Sequence, residues 1–234
     1  MRLFYHNDIN PDQNEVTLSP EDSKHIVRVL RMQNSEQLHL MDGKGNRYSC
    51  TIIDAHQKKC KVKVDNIESL PATASHIHIG IAPTKNMDRI EFFLEKAIEI
   101  GVGKITFFYS KHSERKQLKL DRLERIAVSA MKQSRKFWSP ELSIVPNFKE
   151  VMNMEADQKF IAYVPTNSTE NLFQKINKDQ NIFVLIGPEG GFSEEEAEQA
   201  KESGFEWVSL GKERLRTETA GIVTAQILNM VDLK

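Results

Sequence analysis

Leu185-Ile186-Gly187-Pro188-Glu189-Gly190-Gly191-Phe192 and Leu210-Gly211-Lys212-Glu213-Arg214-Leu215-Arg216-Thr217-Glu218-Thr219-Ala220 are the two stretches that decide how this chain folds. Each follows an apolar, strand-like run, Ile182 to Ile186 in the first case and Trp207 to Leu210 in the second. Each leads into a helix-like run. Helix N-termini present unpaired backbone N–H groups, so two such turns side by side make a binding site. The glycines let the backbone approach a ligand with no Cβ in the way.

Working outward, the chain from Ile77 onward alternates strand and helix. Ile77 to Ala82, Ile105 to Tyr109 and Phe160 to Val164 join the two runs above as strand candidates. Met87, Ile90, Leu94, Ala97 and Ile98 recur at helical spacing, and Gly101 stops that helix. Leu123, Ile126, Ala127, Ala130 and Met131 mark a second helix. This alternation predicts an α/β domain with a parallel sheet. In such sheets ligands bind beyond the carboxyl ends of the strands, where both glycine segments fall.

The first seventy residues read differently. Leu38 to Met41, the turn Asp42-Gly43-Lys44-Gly45-Asn46 and Tyr48 to Ile53 read as strand, turn, strand, and Cys60 to Val64 alternates as a strand does. A helix is expected from Ser19-Pro20-Glu21-Asp22 through Val27, Leu30 and Arg31. These elements predict a small β-barrel with a helix, residues 1–70. Leu70-Pro71-Ala72-Thr73 is the expected linker to a second domain, residues 75–234.

The 234 residues carry a formal net charge of −1, but the charge is unevenly spread. Between Lys111 and Lys136 stand nine Lys/Arg (111, 115, 116, 119, 122, 125, 132, 135, 136) against three acids (Glu114, Asp121, Glu124), a net of +6. Lys24 to Arg31 adds three basic residues and no acid. Such stripes suit a polyanion lying on one face, or a solvated helix face. Phe137-Trp138 is suited either to stacking on a base or to anchoring its segment to the core.

Cys50 and Cys60 show no zinc-ligand spacing, so no metal is expected. Two unpaired thiols, an N-terminus without a signal-peptide core and no run of membrane-spanning length predict a cytoplasmic protein with no membrane partner. The seven histidines, His76 and His78 on one strand among them, form no triad and read as structural or surface residues. Gly101-Val102-Gly103 is only a fragment of a dinucleotide motif and reads as a helix stop, and no Gly-Lys-Ser/Thr follows the glycines at 187–191. Ser193 and Glu196 form a capping box, and Thr217 or Thr219 is placed to cap the last helix. Arg216 and Glu218 flank that cap: a cation and a carboxylate suited to hold a polar ligand and manage a proton, or to form a local salt bridge.

Gly-Pro-Glu-Gly-Gly-Phe-Ser (187–193) with Leu-Arg-Thr-Glu-Thr-Ala (215–220) closely resembles the ribosomal RNA small subunit methyltransferase E family of the SPOUT superfamily. His25 to Arg31, Asp42-Gly43-Lys44-Gly45, Lys85, Lys96 to Val102, and Gln133-Ser134 with Pro140 extend the resemblance over nearly the whole chain. The chain departs from the family pattern at Ile98, Lys136, Glu213 and Arg214. The resemblance implies a PUA-like β-barrel before a SPOUT-type parallel sheet with a C-terminal trefoil knot, and a homodimer. It implies S-adenosylmethionine-dependent N3-methylation of one uridine, U1498, in helix 44 of 16S rRNA in the 30S subunit. The implied cofactor residues are Leu185, Ile186, Gly187, Pro188, Glu189, Gly190 and Gly191, then Leu210, Gly211, Leu215, Thr217, Thr219 and Ala220. Arg216 and Glu218 are the catalytic candidates; Arg28, Arg31, Lys85, Arg115, Arg135 and Lys136 are those for RNA. The rival readings are a SPOUT enzyme acting on a tRNA ribose and a non-catalytic RNA-binding module.

Overall fold

The computed structural model describes residues 2–71, 76–165, 169–178 and 180–232. The chain divides into two compact units, Met1–Ala72 with Met131–Ser139, and Thr73–Ala130 with Pro140–Lys234. Of the expected linker, Leu70 and Pro71 are described; 72 and 73 lie outside the described residues.

In the first unit β1 (Leu3–Tyr5), β2 (Glu15–Thr17), β3 (Gln37–Met41), β4 (Asn46–Asp54) and β5 (Lys61–Ser69) form one sheet, ordered β1-β3-β4-β5-β2. Only the β1–β3 pair is parallel. The sheet curls so that Phe4, Val16, Leu40, Cys50 and Val62, one from each strand, share a single core. Burial pushes the thiols of Cys50 and Cys60 up to about 12 and about 11, which leaves both protonated and unreactive at neutral pH.

Ser19 caps α1 (Pro20–Lys24) by accepting from the Asp22 N–H, and Pro20 stands in its first turn. The helix does not run to Arg31 as one α-helix. His25–Val29 is π-helical, closed by Leu30 N–H donating to His25 O at 2.9 Å, and Arg31 turns away at φ 55°. The wider turn accompanies full burial of Ile26 and leaves Val29 65% exposed.

In the 42–46 turn the buried Asp42 carboxylate accepts from Lys44 N–H (2.7 Å), Asn46 N–H (3.1 Å) and the Tyr48 hydroxyl (3.1 Å). Trp138 lies over Gly45, where a Cβ would come within 2.4 Å of its ring, and its Nε1–H donates to Leu70 O at 2.9 Å. Trp138 is therefore an anchor for its segment, while Phe137 carries the Arg47 guanidinium 5.7 Å from its ring centre.

In the second unit β6 (Ile77–Ile81), β7 (Lys104–Phe108), β8 (Glu141–Val145), β9 (Gln158–Ala162), β10 (Ile182–Ile186) and β11 (Glu206–Val208) form a wholly parallel sheet, ordered β11-β9-β10-β6-β7-β8. The helices of this unit are α2 (Met87–Ile100), α4 (Phe148–Met152), α5 (Leu172–Lys175), α6 (Glu194–Glu202), α7 (Thr217–Asp232) and residues 120–130 of α3 (Leu120–Ser134). The expected alternation is present, and every residue of the central strands β6 and β10 is buried, in keeping with an apolar β10 and a β6 whose one polar side chain is His78. Gly101 ends α2 at φ 112°, with its N–H and that of Val102 both reaching Ala97 O. His76 precedes β6 rather than sharing the strand with His78.

His78 is a buried structural residue. Its ring stacks on Phe183 at 3.9 Å, and Nε2 lies 2.8 Å from the Thr106 hydroxyl, which meets Ser143 at 2.7 Å. Burial, helped by the Lys104 charge, pushes its pKa down from 6.5 to about 3. Between those values the unfolded chain binds a proton that the folded chain refuses. Stability is therefore expected to fall as pH drops below 6.5, by at most about 1.4 kcal/mol per pH unit from this residue. Urea titrations of wild type and His78→Asn across that window check it; the variant should show the shallower slope.

Candidate active site

Because all six strands are parallel, the connections after β6, β7, β9, β10 and β11 leave from one edge of the sheet. The turn after β10 is held from three sides. Ala82 N–H donates to Ile186 O at 2.9 Å, Lys85 N–H to Glu189 Oε1 at 3.0 Å, and His112 Nδ1 lies 3.1 Å from Gly191 O. Within the turn Gly191 N–H returns to Pro188 O at 2.9 Å. Ser193 and Glu196 then form the expected capping box of α6, and the other Glu196 oxygen accepts from Lys111 N–H at 2.8 Å. Phe192, packed against Phe108 and Phe148, pins the end of the turn to the core.

The side chains of Leu185 and Ile186 lie in the core, so these residues offer a ligand their backbone only. Gly187 and Pro188 are buried; Glu189 and Gly190 are exposed. A Cβ on Gly190 would lie 3.0 Å from the His112 Cβ. Gly191 (φ 71°) and Gly211 (φ 142°) differ: their missing Cβ positions face open space, with nothing within 4 Å. At both glycines the backbone is therefore open to close approach from outside.

The second turn, from Leu210 to Arg216, is mostly exposed, with Leu210 and Leu215 half-buried. It begins beside Ser209, which exchanges backbone hydrogen bonds with Glu170 and Leu172 (2.8 and 2.9 Å). Neither threonine caps α7. The helix starts at Thr217 with Arg216 O accepting from Ala220 N–H at 2.8 Å, so both threonines lie inside the first turn, where the cap position belongs to Arg216. Thr217 is buried and Thr219 exposed. Arg216 is exposed, with no ion pair or side-chain hydrogen bond among the described residues. Glu218 is only 8% exposed and does not pair with Arg216. It meets Arg89 of α2, Nε to Oε1 at 3.8 Å, and its Oε2 has no hydrogen-bond partner among the described residues. Arg89 and His112 were not singled out in the sequence. The usable signal was that His112 lies in the loop after a parallel strand, four residues beyond β7, whereas Arg89 looks like any exposed helix cation.

The expected RNA-binding residues fall on both units: Arg28, Arg31, Arg135 and Lys136 on the first, Lys85 and Arg115 on the second. Arg28 donates to Gln57 at 2.7 Å. In the second unit the Arg115 guanidinium donates to Thr84 O (3.2 Å) and Lys85 O (2.6 Å), and Lys85 Nζ lies 2.8 Å from Glu114, a hydrogen bond that raises its pKa. Beside them a cavity of about 440 Å³ is lined by Arg115, Lys116, Lys119 and Arg122 together with Tyr109 and Met87. Among the described residues no group of three or more His, Cys, Asp or Glu is placed to hold a metal, and no helix is long and apolar enough to cross a membrane.

Glycine turns at the carboxyl edge of a parallel sheet, flanked by a basic cavity, have the form of a nucleic-acid-modifying site, and residues 71–229 match the RNA methyltransferase domain family. Residues 18–65 match the RNA methyltransferase PUA domain. Ribosomal RNA small subunit methyltransferase E of Buchnera aphidicola from Acyrthosiphon pisum is 31% identical over 97% of this chain and 92% of its own length. The crystal structure of a probable rRNA-methyltransferase from Porphyromonas gingivalis is 41% identical, covers 100% of this chain and 99% of its own, and superposes with a TM-score of 0.92. That of ribosomal RNA small subunit methyltransferase E from Neisseria gonorrhoeae, bound to S-adenosylmethionine, is 26% identical over 99% of this chain and 98% of its own, with a TM-score of 0.86. The chain belongs to the ribosomal RNA small subunit methyltransferase E family.

Proposed function

We propose that this protein transfers a methyl group from S-adenosylmethionine to N3 of a single uridine, U1498, in helix 44 of 16S rRNA within the 30S subunit. The observation that carries the proposal is that Gly191 and Gly211, one in each glycine turn, are open where a Cβ would sit, in a chain similar along its length to a relative solved with S-adenosylmethionine bound. By the same resemblance the C-terminal region is a trefoil knot and the protein a cytoplasmic homodimer.

In this reading backbone groups of 185–191 and of 210–220 hold the cofactor, with Gly191 and Gly211 allowing close approach. When bound, S-adenosylmethionine supplies a methyl on a sulfonium, a leaving group already activated. The uracil must leave its stack to reach the site. The free Arg216 guanidinium holds the uracil and stabilises the negative charge that develops as N3 is deprotonated. Glu218 Oε2 accepts the N3 proton, its lone pairs having no other partner among the described residues. The buried cap of α6 and the Phe192 cluster keep the cofactor turn rigid, so that orientation supplies much of the acceleration.

The basic cavity holds the RNA backbone. Lys116→Glu and Lys119→Glu are each expected to weaken binding to 30S subunits and to lower the slope of log K against log salt by about 1 per lost phosphate contact. Filter binding between 50 and 200 mM salt, about the range over which such contacts are strongly screened, reads this; unchanged slopes would make both lysines ordinary surface. The function itself is tested by incubating the protein with methyl-labelled S-adenosylmethionine and either 30S subunits or tRNA. Label in 16S rRNA alone is expected. Label in tRNA favours the rival ribose methyltransferase, and failure to bind the cofactor at all favours a non-catalytic RNA-binding module.

A further inference from the structure

Glu218 sits at a point where two helices cross closely. One turn along α7, Gly221 faces Phe93 of α2 so tightly that a Cβ would lie 2.5 Å from the Phe93 ring. One turn back along α2 from Phe93 stands Arg89, and its Nε reaches Glu218 Oε1 at 3.8 Å. The same helix contact that needs a glycine at 221 thus brings Arg89 to one oxygen of Glu218 and leaves the other, Oε2, buried and unpartnered among the described residues. A buried carboxylate with one oxygen neutralised and one vacant is an unsatisfied acceptor unless a ligand donates to it. Other charged groups of α2 are paired elsewhere, Glu91 with Arg122 at 2.6 Å and Lys96 with Glu95 and Glu99 at 2.7 and 2.8 Å, while Asp88 stands next to Arg89 in the first turn. Arg89 is the cation that reaches Glu218 among the ion pairs of the described residues.

We infer that Arg89 is a positioning residue for methyl transfer: it holds Glu218 Oε1 so that Oε2 faces the N3–H of the bound uracil. This rests on the proposed role of Glu218 as proton acceptor. Arg89 itself touches neither methyl donor nor uracil.

The test is a double-mutant cycle on the full chain with 30S subunits and S-adenosylmethionine, reading single-turnover kcat, cofactor Kd by calorimetry and melting temperature. Glu218→Gln is expected to lower kcat by about 10²-fold, the low end for a lost general base. Arg89→Met is expected to lower kcat by about tenfold or more, since a misplacement near 1 Å costs up to about 10²-fold, with cofactor Kd changed less than about twofold. In the Glu218→Gln background Arg89→Met should cost nothing further, and Arg89→Lys should restore most of the rate. Lys96→Met, which removes a cation from the same helix, serves as the control and should leave kcat unchanged. Equal loss from Arg89→Met in both backgrounds, or no loss from it in wild type while Glu218→Gln is slow, overturns the positioning role alone. A full rate in Glu218→Gln overturns the proton-acceptor reading and the positioning role with it.

Discussion

Arg216→Ala is expected to lower kcat for methylation of 30S subunits by about 10²–10³, the cost of removing one preorganised donor to developing negative charge. Arg216 closes the second glycine turn, its backbone carbonyl starts α7, and its guanidinium has no partner among the described residues. Nothing in the fold consumes that charge, so removing it should leave the melting temperature and the cofactor affinity where they were. Arg216→Lys keeps a point charge and loses the planar fork, so it should fall between the two, closer to alanine if the uracil is held through two hydrogen bonds. Stopped single-turnover kinetics with pre-bound cofactor separates the rate from binding. A full rate in Arg216→Ala would remove this residue from the chemistry.

Gly211→Val is expected to raise the S-adenosylmethionine Kd by about 100-fold or more, equivalent to about 2.7 kcal/mol. At φ 142° a side chain is strained, and the strain alone costs of order 1–3 kcal/mol of stability. Strain and lost affinity must therefore be separated. Gly204 supplies the control: it also has positive φ (86°), its Cβ would meet only Lys159 at 3.6 Å, and it lies before β11, at the opposite edge of the sheet. Gly204→Val should lose stability with cofactor affinity intact, whereas Gly211→Val should lose both. Gly190→Val is less informative, because its Cβ would press on His112 and move the turn as a whole.

The parallel sheet was legible because strands buried on both faces read as largely apolar runs: 182–186 is apolar throughout, and 77–81 is interrupted only by His78. The capping box at Ser193 and the glycine stop at Gly101 were legible for a similar reason: each rests on contacts within a few residues. β8 and the short helices α4 and α5 were not expected. β8 is an edge strand with one exposed and four half-buried residues, so its composition carries no burial signal. The π-helical stretch after α1 and the cap position of Arg216 turn on the exact hydrogen-bond register, which side-chain pattern does not specify. Trp138 on Gly45 and Arg89 on Glu218 join residues far apart in the chain, and only packing brings them together. The glycine turns of the site were therefore visible in the sequence, while the partner of its buried carboxylate was not.

The expected product is a methyl group on N3 of one uridine in 16S rRNA. The most direct measurement incubates purified protein and S-adenosylmethionine with 30S subunits lacking that methyl, then identifies the modified nucleoside by mass spectrometry of a site-specific digest. N3-methyluridine at U1498 is expected, about one per subunit, and none with the Arg216→Ala protein over the same time. A 2′-O-methyl nucleoside, a methyl at another position, or an unmodified digest would contradict it.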